Sequence, residues 1–405
     1  MQQRYNFFSI FALNEIKKLF IFIELEFIVS KFAVIMKCRF LTLLLLLLVG
    51  FSYSYSENLV LNGCSYMGRV DDSSREVWRF SYPGVSIKMR FKGSEKVSVL
   101  MADSLNLMQG QSNWFYLFLD GKLIRKFQTT AEMKEIPLVD NLSKTEHCIE
   151  IIKLTESNIG VALFKGFIVD EQTKVLKSEY SSSLKMEFIG NSITVGYGNE
   201  VSSDPPKSTF ESVNENNYHA WGAIVARAFS ANYHCTAYSG IGLQYNFSGD
   251  TMNVMPKVYD RIIPDDVHSK WNHKRYIPHV VVINLGTNDF SAEANSVVKI
   301  DSVSFVNRYS SFLKVLRDYY PLASIVCVVG PMMSDSYPSG LFHWSKIQRY
   351  VKAAMTDRKS MGDSNLYYFM HSPQNAPYGE HYHPSKSTHK RMADRFILFL
   401  KTIGY

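Results

Sequence analysis

A change of hydrophobic period near residue 180 constrains this chain more than any other feature. Before it, apolar and polar residues alternate in short runs at 77–82, 85–91, 97–101, 114–119 and 148–154. That is the period of half-buried β-strands, and Asp120-Gly121 between two such stretches is a strong hairpin signal. No helical stretch of length interrupts them, so an all-β sandwich or jelly roll is expected over 57–176. After a polar stretch at 174–183 the pattern becomes strand then helix, repeated. Strands are expected at 184–189, 280–285, 324–329 and 366–370, and helices at 220–229, 305–319, 347–355 and 387–403. The continuous apolar runs Val280 to Leu285 and Ser324 to Val329 suit buried parallel strands. This half reads as a three-layer α/β/α domain over 185–405, whose ligand site lies beyond the carboxyl ends of the strands.

The first 56 residues stand apart. Met36-Lys37-Cys38-Arg39 is basic, residues 40–51 are apolar with six consecutive leucines, and residues 52–56 are small and polar. The succession is that of a secretory signal peptide over 36–56. A membrane anchor would need about 20 apolar residues, and this run has 12. Residues 1–35, upstream of Met36, read as an over-extended gene start. The whole chain has a formal charge of +7, but without the leader 38 Lys and Arg face 34 Asp and Glu, or +4 on 349 residues. A near-neutral chain with scattered basic residues argues against a nucleic-acid groove. Four cysteines remain, Cys64, Cys148, Cys235 and Cys327, and export leaves both free thiols and two disulfides open.

The chemistry-bearing residues gather at expected strand ends. The strand ending at Ile189 runs into Gly190-Asn191-Ser192, and the strand over 280–285 into Gly286-Thr287-Asn288-Asp289. Gly379-Glu380-His381-Tyr382-His383-Pro384 precedes the last helix. A serine needs a base to become a nucleophile, and an acyl-transfer intermediate needs donors for its oxyanion, so a serine, an amide and a histidine from distant segments can form one site.

Gly190-Asn191-Ser192, Ser239-Gly240-Ile241-Gly242, Gly286-Thr287-Asn288-Asp289 and His383-Pro384 resemble, in order, the four blocks of the GDSL or SGNH hydrolases. The resemblance covers about 185–405. With the β region before it and Gly330-Pro331-Met332-Met333, the chain looks most like carbohydrate esterase family 2, whose members remove acetyl groups from hemicellulose sugars. The resemblance implies a flavodoxin-like SGNH domain behind a jelly roll, and a secreted or periplasmic acetyl xylan esterase-like enzyme working through an acyl-enzyme, without cofactor or metal. Its partner would be an acetylated polysaccharide or oligosaccharide, with no nucleic acid and no stable membrane span after signal cleavage. It makes Ser192 the nucleophile and His383 the general base, with the oxyanion held by the N–H groups of Ser192 and Gly240 and the Asn288 amide.

Two positions depart from the superfamily pattern. Asn191 stands where an aspartate is usual, which keeps a hydrogen-bonding side chain and loses a charge. Glu380 stands three residues before His383, where many members carry an aspartate. Its carboxylate could orient the imidazole, or Ser192 and His383 could act as a dyad oriented by a backbone carbonyl. His381, His383 and His389 lack a matching Asp, Glu or Cys set for a metal. Trp344, more than Trp221 or Trp271, could offer a flat face to a sugar ring. The near alternatives are a lipase-like or thioesterase member of the superfamily, and a catalytically idle glycan-binding protein.

Overall fold

The computed structural model describes residues 58–104 and 110–405, with Glu26, Lys31 and Met36 of the leading segment. Apart from those three positions, the extension at 1–35 and the signal peptide at 36–56 lie outside the described residues. Eleven strands build two antiparallel sheets. They are β1 (Asn58–Val60), β2 (Ser65–Met67), β3 (Trp78–Phe80), β4 (Ser86–Lys92), β5 (Val97–Ser104), β6 (Trp114–Leu119), β7 (Lys122–Gln128), β8 (Lys134–Val139), β9 (Glu146–Lys153), β10 (Val161–Val169) and β11 (Lys174–Leu176). One sheet runs β1-β10-β5-β8 with β3 also on β10, and the other β11-β4-β9-β6-β7 with β2 also on β4.

Strand alternation sets the sandwich. Along β4, Ile87, Met89 and Phe91 are buried while Arg90 and Lys92 are exposed. Phe80, Phe115, Phe164 and Phe167 join them in one core, and each such side chain contributes about 1.5–3 kcal/mol by leaving water. Asp120 and Gly121 form the two-residue loop between β6 and β7, both with positive φ (51° and 77°). That is what a type I′ hairpin turn demands.

Five parallel strands follow: β12 (Lys185–Gly190), β13 (Asn232–Ala237), β14 (Val280–Asn284), β15 (Ser324–Val329) and β16 (Leu366–Met370), in the order β13-β12-β14-β15-β16. Every residue of β14 and β15 is buried, because helices cover both faces of the sheet. Helices Ser302–Tyr319 and His343–Ser360 bring Phe305, Phe312, Leu316, Ile347 and Val351 to one face. Helices Trp221–Ala228 and Lys386–Thr402 bring Trp221, Val225, Phe396 and Leu400 to the other. The strand order is flavodoxin-like and reverses between β12 and β14, which opens a crevice at their carboxyl ends.

A buried ion pair ties the sandwich region to the parallel sheet. Arg69 Nη2 lies 2.9 Å from Glu187 Oε1 of β12, both side chains about 1% exposed. Thr236 Oγ1 (2.7 Å) and Tyr259 OH (2.8 Å) also donate to the Glu187 carboxylate. Burial works to raise the Glu187 pKa, but Arg69 and these donors overcome it and hold it below the ordinary carboxylate value. Cys64, Cys148, Cys235 and Cys327 are all free thiols, so neither disulfide is formed.

Candidate active site

Strand register brings the distant blocks to one place. Gly190, the last residue of β12, pairs with Ala237 of β13 and with Asn284 of β14. Ser192 lies two residues past Gly190, Gly240 three past Ala237 and Asn288 four past Asn284, so all three stand over the crevice. Asn191 is extended, and its Oδ1 accepts a hydrogen bond from Ile193 N at 3.1 Å, capping the short helix Ser192–Val195. The cap survives the loss of the usual aspartate because it needs only a side-chain oxygen.

His383 arrives from the loop between β16 and the last helix. Its Nε2 is 2.8 Å from Ser192 Oγ and its Nδ1 is 3.0 Å from the Glu380 backbone oxygen. A carbonyl can only accept, so Nδ1 carries the hydrogen and the bare Nε2 faces the Ser192 hydroxyl. Tyr197 packs on the imidazole with ring centroids 4.3 Å apart, and the Tyr197 hydroxyl meets His381 Nδ1 at 2.9 Å. Although His383 is only half-buried, burial pushes its pKa down to about 4. The ring is therefore neutral at pH 7.

Glu380 does not take the triad place that its spacing from His383 suggested. Its carboxylate does not orient His383: it is fully buried and turned to the 207–214 segment. There it accepts from Asn214 Nδ2 (2.7 Å) and Glu211 N (3.2 Å) and lies 3.3 Å from Lys207 Nζ. The residue supplies its carbonyl instead, because His381 and Tyr382 are both left-handed (φ 49° and 61°) and fold the loop so that His383 doubles back over Glu380. A side chain at Gly198 would run into Glu380, its Cβ meeting the Glu380 Cβ at 2.5 Å.

Asn288 Nδ2 spends one hydrogen on Ile241 O at 2.7 Å and keeps the other. Gly240 has a φ of 80°, a conformation costly for other residues, and accepts from Phe247 N at 2.8 Å. Asp289 is buried and takes the N–H groups of Leu243, Gln244 and Tyr245, fixing the turn beyond Gly240. Burial outweighs those bonds and pushes its pKa up to about 6.

Trp344, a candidate sugar platform in the sequence, packs partly buried against the core at the start of the helix His343–Ser360, with its Nε1 enclosed. The open rings beside the site are Tyr382, next to His383 and 61% exposed, and Phe247, on the Gly240 turn and 53% exposed. Neither stood out in the sequence, since only the left-handed loop and the Gly240 turn bring them to the rim.

The fold and site are those of a GDSL-type hydrolase, and residues 186–396 match the GDSL-like Lipase/Acylhydrolase family. Residues 66–178 match the carbohydrate esterase 2 N-terminal family. The chain is 33% identical to a family two carbohydrate esterase from Clostridium thermocellum solved in complex with cellohexaose, with a TM-score of 0.74 over 84% of this chain and 98% of that one. It is 34% identical to the cellulase/esterase CelE of Acetivibrio thermocellus over 84% of this chain, but spans only 39% of that protein's length. An acetylxylan esterase / glucomannan deacetylase of Cellvibrio japonicus is 23% identical over 83% of this chain and 88% of its own. The chain belongs to carbohydrate esterase family 2.

Proposed function

We propose that this protein is an exported esterase that removes O-acetyl groups from hemicellulose-type polysaccharides or oligosaccharides through an acyl-enzyme on Ser192. The observation that carries the reading is the hydrogen-bonded line from Ser192 Oγ through the His383 ring to the Glu380 carbonyl. In this mechanism Ser192 Oγ attacks the acetyl carbonyl while His383 Nε2 takes its proton. The negative oxygen is met by the N–H groups of Ser192 and Gly240 and the free hydrogen of Asn288 Nδ2. Collapse breaks the bond to the sugar oxygen, which receives the proton from Nε2. Water then attacks the acetyl group, with His383 as base, and releases acetate and the free serine. Glu380 holds the imidazolium through its carbonyl dipole alone, which makes this a dyad.

The same reading divides the working chain into a β-sandwich domain over 57–176 and a hydrolase domain over 185–405, behind a signal peptide at 36–56. Among the described residues no helix is long and apolar enough to cross a membrane. Tyr382 and Phe247 are the rings on which a pyranose would stack, because flat aromatic faces suit the apolar faces of sugars.

The test is acetate release from acetylated xylan and glucomannan by the chain from Glu57 onward, beside hydrolysis of 4-nitrophenyl acetate and of a long-chain 4-nitrophenyl ester. The expected result is release from the polysaccharides and the short ester. Preference for the long-chain ester would support a lipase-like enzyme, and glycan binding without any hydrolysis would support an idle one.

A further inference from the structure

The sandwich region reaches the Ser239–Gly240 segment of the hydrolytic site through the link between β9 and β10. Glu156 there is about 1% exposed, and its Oε2 accepts a short hydrogen bond from Ser239 N. Two residues on, Asn158 Nδ2 donates to Ser239 O at 3.2 Å. Both polar ends of the residue preceding Gly240 are thus held by the sandwich. Behind Glu156 stands Glu215, fully buried, whose Oε1 accepts from Glu156 N and whose Oε2 has no partner among the described residues. The two carboxyl groups face each other, and burial raises both pKa values. Two carboxylates this close and sealed from water repel each other strongly, and one proton held between them would give Glu215 Oε2 a partner.

We propose that Glu156, sharing a proton with Glu215, is a positioning residue for ester hydrolysis: it fixes the Ser239–Gly240 peptide so that the Gly240 N–H meets the oxyanion. The inference rests on the reading of Gly240 as an oxyanion donor. It gives the sandwich a part in the reaction through a residue that touches no substrate. Neutral Ser239 N–H needs only an acceptor, and the Glu156 oxygen facing it is one in either protonation state of the pair. Loss of the shared proton leaves two negative charges in contact and loosens the clamp. The groups facing the pair set where that happens. Lys153 lies on the sandwich side, donating to Thr155 O (2.6 Å) and Glu156 O (3.2 Å), with Asp103 beyond it. Burial pushes the Lys153 pKa down to about 7, against the pull of Glu215, Asp103 and Glu156. Tyr197, Tyr238, Cys235 and Glu380 face the pair from the hydrolase side.

Four variants of the chain from Glu57 onward, assayed on 4-nitrophenyl acetate, test this. Glu156→Ala should lower kcat roughly 10- to 100-fold with KM little changed, because a misaimed donor costs the transition state and spares the ground state. Glu156→Gln, which still accepts from Ser239 N and donates to Glu215, should recover kcat to within a few-fold. Glu215→Gln supplies a permanent donor in place of the shared proton, so its kcat should lose an alkaline fall that the wild type shows. Unchanged kcat in Glu156→Ala, or a matching loss in Glu156→Gln, would overturn the proposal. If Glu156→Ala does not fold, the alkaline limb of Glu215→Gln decides, and an unaltered limb counts against it. Ser192→Ala runs alongside: if it is as active as the wild type, the reading of the site has failed, and if it is inactive, a failed Glu156 result belongs to this inference alone.

Discussion

Replacing Asn288 by alanine separates a catalytic amide from one that only shapes a turn. Its Nδ2 has two hydrogens, and the 2.7 Å bond to Ile241 O takes one of them. Removing the second donor should cost 100- to 1,000-fold in kcat, about 2.7–4 kcal/mol, the usual loss for one member of an oxyanion hole. Losing the bond to the buried Ile241 carbonyl should cost about 1–3 kcal/mol of folding stability. KM should move by less than about threefold, since the ground-state carbonyl gains little from a donor aimed at the oxyanion. Steady-state kinetics on 4-nitrophenyl acetate, with urea unfolding followed by fluorescence, measures both losses. Asn288→Asp keeps the shape, offers no N–H and adds negative charge, so its kcat should fall at least as far. An Asn288→Ala enzyme that is less stable but keeps kcat within a few-fold would refute the assignment.

Three further outcomes follow from the geometry. The pH profile of kcat/KM should show an acid limb with its midpoint well below 6.5, toward the His383 value of about 4, because burial favours the neutral ring and Nδ1 is met by a carbonyl and not by a carboxylate. A midpoint at 7 or above would mean that a carboxylate supports the imidazole. Glu380→Gln should keep kcat within about fivefold while losing about 1–3 kcal/mol of stability, since it disturbs only the anchoring bonds to Asn214, Glu211 and Lys207. A loss near 10,000-fold, the scale for neutralising a true triad carboxylate, would restore the triad. Glu187→Gln should destabilise the fold by about 3–5 kcal/mol at pH 7 by leaving Arg69 buried and unpaired. The Glu187 pKa is depressed in the folded state, so its stabilisation is present above the ordinary carboxylate range and lost as pH falls through the lowered value. The gap between wild type and Glu187→Gln should therefore close in acid, and a gap constant down to pH 3 would contradict the pairing.

The legible parts of the fold were those with strong local signals. The strand Leu366–Met370 has the bounds its apolar run implies, and β14 ends one residue short of them. Helix Ser302–Tyr319 starts three residues before the expected position, because the Asp301 side chain caps it at Ser304 N while Ser302 and Val303 stay exposed. The strand Asn232–Ala237 has no apolar run to announce it: Asn232-Tyr233-His234-Cys235-Thr236-Ala237 carries polar side chains buried by tertiary partners, such as Thr236 on Glu187. In the site, motif order led to Ser192, Gly240, Asn288 and His383; strand register brings the first three to one crevice and the 380–382 loop brings His383. The part played by Glu380 could not be read, because which of its oxygens meets His383 depends on two left-handed residues that sequence spacing does not announce. Glu156 was equally hidden, since its partner Ser239 lies 83 positions away.

The most direct measurement of the central claim is mass spectrometry of the protein quenched in acid during turnover of 4-nitrophenyl acetate. One acetyl group should appear on the peptide that bears Ser192, accumulating early and disappearing when substrate is exhausted, with none on the Ser192→Ala protein. Turnover with no acetyl group on Ser192, or with an acetyl group on another residue that persists in Ser192→Ala, would contradict it.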